Sequence, residues 1–203
     1  VHNGGPRRHT EYFPQKPFAA LPDDFRGQLL GMNRNPQQVL FDGEVASDAY
    51  LKFLVEELKP FIDGHYSVAT GAAQTAVMGS SMGGLISLYA ISEYPQVFGA
   101  AACLSTHWPG IFAVENNPIP DAFFGYMRKA LPDPATHRIY FDYGTATLDA
   151  LYPPLQAKAD AVMREKGYGP GNWQTLKFEG AEHSEQAWAA RLHIPLQFLF
   201  PPR

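Results

Sequence analysis

Apolar periodicity is scarce before Ser47 and regular after it. Residues 1–45 are rich in Pro, Gly, Asn and Arg, which predicts a long loop with short turns, preceded at most by the tail of a strand at Val1–His2. From Ser47, a suitable N-cap residue, Tyr50, Leu51, Leu54, Val55 and Leu58 share one helical stripe that Pro60 is expected to end. Short buried strands are predicted at 74–79 (QTAVMG), 99–105 (GAAACLS), 138–144 (RIYFDYG) and 173–180 (WQTLKFEG). Between and after them lie helical patterns: Met82 to Tyr94 before Pro95, residues 120–131 (PDAFFGYMRKAL), Leu151 to Lys166, and Glu185 to Phe200. In the third of these, Leu155, Ala159, Val162 and Met163 face inward. From residue 74 onward, strand and helix alternate strictly, the pattern of an α/β fold whose mostly parallel sheet has helices on both faces. The length of 203 residues suits a single domain spanning 1–203.

Composition narrows the function classes. With 45% apolar and 18% charged residues, a net charge of −4 and no basic run, the chain shows no footprint for nucleic acid or an anionic membrane. No apolar run reaches the roughly 18 residues a membrane span needs. Cys103, the single cysteine, sits in an apolar run and reads as a small buried hydrophobe. His2, His9, His65, His137 and His193 lack mutual ligand spacing, so neither a metal nor a cofactor is expected. The cellular compartment is not encoded in these features.

The chemistry concentrates in residues 77–84, VMGSSMGG. Gly79-Ser80-Ser81-Met82-Gly83 matches G-x-S-x-G, a nucleophile elbow, and it falls between a predicted buried strand and an apolar helix. A serine there stands on a tight, strained turn with its hydroxyl above the carboxyl edge of the sheet. Small residues on either side let strand and helix pass closely. The helix points its amino end at the site, so the Met82 N–H can stabilise an oxyanion.

A serine hydroxyl needs a base, and the base an orienting acid. In hydrolases of this type the chain order is Ser, then Asp or Glu, then His. His183 follows the last predicted strand and precedes the final helix. Asp149 follows the turn after RIYFDYG and is favoured as the acid over Asp142, inside that strand, and over Glu182, beside the base. His107 and Trp108, in LSTHWPG, leave the strand expected next to the elbow strand and are candidates for lining the substrate pocket, with ordinary packing as the alternative.

With these residues in view, the chain resembles the putative-esterase family of α/β-hydrolases, the group of esterase D, feruloyl esterases, enterochelin-type siderophore esterases and mycolyltransferases. NGGPRRHTEYFPQKP resembles the family's R-x-x-E-Y-x-P loop, here Arg8, Glu11, Tyr12 and Pro14. VMGSSMGGLISLYA, YFDYGTATLDALY and GAEHSEQAWAARL are similar to its elbow, acid loop and histidine loop. The resemblance implies Ser81, Asp149 and His183 as a triad. It also implies that Arg8, Glu11 and Tyr12 fix a loop beside the substrate pocket.

The family's early strands and its oxyanion loop have no counterpart in the residues before Ser81. The expectation is therefore an α/β-hydrolase fold that is N-terminally incomplete, with an elbow strand open on one side. An upstream segment, or a second copy of the chain, would cover that edge. The function expected is a serine carboxylesterase acting on a small-molecule ester through an acyl-enzyme. Alternatives are an acyltransferase to an alcohol using the same triad, or a non-catalytic truncated binding module.

Overall fold

In the computed structural model, which describes residues 5–112 and 115–201, the amino-terminal stretch folds into short helices rather than the long loop its composition predicts. These are α1 (Arg8–Tyr12), α2 (Gln15–Ala19) and α3 (Asp23–Leu30), followed by an antiparallel ribbon of β1 (Asn33–Asn35) and β2 (Gln38–Val39). The strand tail expected at Val1–His2 lies outside the described residues. Pro14 and Pro22 stand immediately before α2 and α3, where a fixed φ begins one helix and cannot continue another. Single buried anchors, Tyr12, Phe13, Leu21 and Leu29, tie these pieces to the core.

The helix predicted from Ser47 does not end at Pro60. It runs as α4 (Ser47–Phe53), a π-helical turn at Leu54–Leu58, and α5 (Lys59–His65). The wider π turn comes just before the proline, whose ring would otherwise meet the carbonyl of residue 56. Ser47 is not the cap either; its Oγ accepts the Gln15 N–H at 2.8 Å and ties α4 to α2.

Strand and helix then alternate as expected. The order is β3 (Ala76–Ser80), α6 (Met82–Glu93), β4 (Ala100–Leu104), α7 (Ile119–Ala130), β5 (Arg138–Gly144), α8 (Pro153–Glu165) and β6 (Trp173–Phe178). The predicted last helix is two, α9 (Glu185–Arg191) and α10 (His193–Leu199), broken at Leu192. Pro195 explains the break: it donates no N–H, and its ring conflicts with the carbonyl of residue 191 in a continuous helix.

The sheet is four-stranded and parallel in the order β3-β4-β5-β6. Alternate residues sort to its two faces. Ala101, Cys103, Ile139 and Phe141 join the large core with α6, α7 and α8, while Ala100, Ala102, Leu104 and Tyr140 pack with Leu199 of α10. Helices therefore cover both faces, the α/β-hydrolase arrangement. Among the described residues β3 pairs only with β4, so its other side is an open edge where Met78 is 38% exposed. No helix of the described residues is long and apolar enough to cross a membrane.

Candidate active site

β3 stops at Ser80 and α6 starts at Met82, leaving Ser81 alone in the turn with φ 60° and ψ −121°. A non-glycine residue held there costs about 1–3 kcal/mol. Its backbone is fixed from several directions: Ser81 N–H donates to Leu104 O at 2.9 Å, and Ser81 O accepts from Gly84 N–H at 2.9 Å and His107 N–H at 3.2 Å. The close approach of strand and helix depends on Gly79, where a Cβ would lie 2.5 Å from Gly83 O. Gly83 is different, because a Cβ there meets nothing within 4 Å.

The carboxyl edge of the sheet brings Ser81, His183 and Asp149 together. His183 Nε2 lies 2.9 Å from Ser81 Oγ, and His183 Nδ1 lies 2.5 Å from Asp149 Oδ1. The network assigns the imidazole proton to Nδ1, leaving Nε2 as an acceptor for the serine proton. His183 is placed by its own backbone N–H, which donates to Thr147 Oγ1 at 2.8 Å, and by T-shaped packing with Tyr152 and Trp188, ring centres 5.7 and 4.9 Å away. Its side chain is 13% exposed and Asp149's is fully buried.

Asp149 Oδ2 accepts from Gly144 N–H and from Ser105 Oγ–H, both at 2.6 Å. Burial pushes its carboxyl up, but the hydrogen bonds from His183, Ser105 and Gly144 outweigh that and hold it below the usual carboxylate range. Gly144 is required sterically as well, since a Cβ would meet Ala181 O at 2.0 Å. Asp142 goes elsewhere: its Oδ1 accepts from Arg191 Nη2 at 2.9 Å and its Oδ2 from Tyr140 Oη at 3.0 Å.

The remaining candidates spread around this centre. Met82 opens α6, so its N–H is among the first helical donors that have no intrahelical acceptor. His107 is 2% exposed, with Nδ1 2.9 Å from Tyr152 Oη, and burial pushes its imidazole down to about 3, so it is neutral. Trp108 is fully buried, donates to Gln156 Oε1 at 2.9 Å and packs on Phe124, a place in the core. A groove of about 290 Å³ along the open side of β3 is lined by Arg8, Tyr12, Tyr50, Leu54, Ser80 and Gly83 among others. Arg8 Nη2 reaches Ser80 O at 3.4 Å and its guanidinium lies 5.1 Å from the Tyr12 ring centre. Glu11 pairs with Arg7 at 3.1 Å and does not line the groove. Among the described residues, no group of three His, Cys, Asp or Glu is arranged to hold a metal.

Ser105, Gly144 and Tyr152 were not evident as site residues from sequence. The one available signal was positional: Ser105 directly follows the fully buried β4, and Gly144 ends β5.

A parallel sheet covered on both faces, with a serine on a strained strand-to-helix turn and His and Asp after later strands, defines the α/β-hydrolase class. The model of the Esterase family, described as "Putative esterase", matches residues 33–196, and the chain belongs to that family. Among solved structures it is similar to a ferulic acid esterase, at 21% identity and TM-score 0.59, over 74% of this chain and 60% of that one. It is also similar to the enterobactin esterase FES from Shigella flexneri, at 20% identity and TM-score 0.62, over 90% of this chain and 42% of that one. At these identities the likeness is one of fold. Among curated proteins, the uncharacterized protein YbbA of Bacillus subtilis (strain 168) is 33% identical over 60 residues, 29% of this chain and 24% of its own. The chain thus spans less than two thirds of each of these relatives.

Proposed function

We propose that the protein is a serine carboxylesterase working through Ser81, His183 and Asp149. The observation that carries this reading is the continuous chain of hydrogen bonds from Ser81 Oγ through both imidazole nitrogens to a buried carboxylate, at 2.9 and 2.5 Å. Ser81 Oγ attacks the ester carbonyl carbon while its proton passes to His183 Nε2. Asp149 holds the imidazole in the required tautomer and stabilises the imidazolium that forms. The carbonyl oxygen, now negative, is met by the Met82 N–H at the amino end of α6. Collapse of this intermediate breaks the bond to the alcohol, which takes the proton from His183 and leaves an acyl-Ser81. Water then attacks the acyl carbon as its proton passes to His183 Nε2, and the second intermediate collapses by breaking the bond to Ser81 Oγ, which takes that proton back as the acid leaves.

Substrate contacts follow from the groove. Among the described residues Arg8 makes no ion pair, and it stands beside Tyr12 at the wall nearest Ser80. A half-buried guanidinium that no carboxylate pairs at contact distance, with Glu185 acting on it only from further away, suits an ester with a negative or electron-rich portion. The neutral His107 imidazole, beside the Ser81 turn, is proposed as a second contact.

A panel of p-nitrophenyl esters tests the reading. Release of nitrophenol with a burst equal to the enzyme concentration, absent from Ser81→Ala, is the expected result. Turnover that survives intact in Ser81→Ala would sink it.

A further inference from the structure

Asp149 is gripped from behind by a hydroxyl that has been given no freedom. Ser105 Oγ lies 2.6 Å from Asp149 Oδ2 and also receives Trp188 Nε1 at 2.9 Å and Arg191 Nη2 at 3.1 Å. A hydroxyl has one proton and two lone pairs, whereas indole and guanidinium nitrogens only donate. The two incoming donors therefore occupy both lone pairs, and the Ser105 proton has one direction left, toward Asp149.

The arrangement is buried and braced. Ser105, Asp142 and Asp149 are fully buried and Arg191 is 4% exposed. Arg191 Nη2 also donates to Asp142 Oδ1 at 2.9 Å, and its guanidinium lies 4.8 Å from the Phe178 ring centre. Ser105 adopts φ 40°, in the left-handed region, and its N–H donates to Asp142 O at 2.7 Å. Strain of that kind persists only where the surroundings impose it. Here it aims the side chain at the acid from the end of β4, while α9 supplies both locking donors.

We propose that Ser105 is a positioning residue for Asp149, its hydroxyl locked as a donor by Trp188 and Arg191 so that the carboxylate presents only Oδ1 to His183 and stays charged during proton transfer. This rests on the esterase reading of Ser81, His183 and Asp149. The hydrogen bonds that hold the Asp149 carboxyl below its usual range include the one from Ser105. The Asp149–His183 pair is faced by Tyr152 and His107 on one side and, through Ser105, by Arg191 and Asp142 on the other.

Removing the hydroxyl leaves more negative charge on Oδ1, so the pair keeps its proton to higher pH. Ser105→Ala is therefore expected to lower kcat about 10- to 100-fold at unchanged KM. The acid limb of the kcat/KM profile moves to higher pH. The titration of the low-field proton NMR signal from the Asp149–His183 hydrogen bond moves the same way. Trp188→Phe, which keeps an aromatic edge on His183 but unlocks the hydroxyl, shifts both in the same direction by less, and it decides the matter if Ser105→Ala does not fold.

A folded variant whose limb and NMR titration match wild type overturns the proposal, whatever its kcat. If the NMR titration moves while the wild type hydrolyses no ester, the positioning role of Ser105 stands and the esterase reading falls.

Discussion

On the side of Ser81 that leads to β4 and β5, the groups around the candidate acid are buried and tied together, from Ser105 on Asp149 to Arg191 on Asp142, and the exposed Thr147 hydroxyl holds the His183 backbone. On the other side lie the open edge of β3 and a groove of about 290 Å³ that Ser80 and Gly83, on either side of the turn, help to line. In the proposed mechanism the dipoles of the first flank are already aimed before any substrate arrives, so proton transfer would need little reorganisation. The second offers room, one cation and few constraints. In the proposed function, chemistry and recognition fall to different neighbours of the same turn, and the two flanks should respond differently to substitution.

The largest expected effect lies on the closed flank. Asp149→Asn keeps the shape but offers Nδ1 an amide and favours the wrong imidazole tautomer, so kcat falls by about 10,000-fold. Stopped-flow acylation rates check it, and a drop of less than tenfold would mean that the buried carboxylate is dispensable.

A pair of glycines sharpens the contrast sterically. Gly79→Ala drives a Cβ to 2.5 Å from Gly83 O and is expected to cost about 1–3 kcal/mol of stability. Gly83→Ala faces the groove, where nothing lies within 4 Å, and gains helix propensity, so its stability changes little or rises by up to about 1 kcal/mol. Urea unfolding of the two variants reads the difference directly.

Two buried histidines, His9 and His107, are neutral. Burial pushes His9 down to about 4, and its Nε2 has no hydrogen-bond partner among the described residues; burial pushes His107 down to about 3. Below about 6.5 the unfolded chain binds protons that the native state refuses, so stability falls with pH by about 1.4 kcal/mol per unit for each histidine. The loss stops growing near about 4 for His9 and about 3 for His107. Asp149, depressed instead, adds its own loss only below the ordinary carboxylate range. His9→Phe should remove one histidine's share, about 1.4 kcal/mol per unit, from the slope above pH 4 in denaturant titrations at stepped pH, whereas Asp142, raised by burial, acts in the opposite sense near the carboxylate range.

The smallest effect belongs to the open flank. Arg8→Met is expected to raise KM about three- to tenfold for p-nitrophenyl hemisuccinate and to leave p-nitrophenyl butyrate unchanged. Equal changes for both esters would remove Arg8 from recognition.

The same contrast explains what was legible in the sequence. The four parallel strands could be read because short apolar runs bounded by turns are a strong local signal, and RIYFDYG matches β5 residue for residue. The helices α1 and α2 could not, because five residues are too few to display a stripe. Pro60 and Pro195 were each misjudged for a different reason. One is absorbed by a π turn inside a continuing helix, and the other breaks a helix whose apolar pattern runs straight through it. At the candidate site, Ser81 and His183 stand out by place in the strand-helix order, and Asp149 is favoured there over Asp142 and Glu182. Ser105 does not: its role exists only once strand register sets it beside Asp149, 44 residues away, and α9 returns Arg191 from 86 residues away.

The central claim is that Ser81 is a nucleophile activated by His183 and Asp149, and intact-mass analysis after a fluorophosphonate probe tests it most directly. The account predicts one adduct per chain, located on Ser81, absent from Ser81→Ala and formed far more slowly in Asp149→Asn. No adduct on a folded protein, or an adduct that persists in Ser81→Ala, would contradict it.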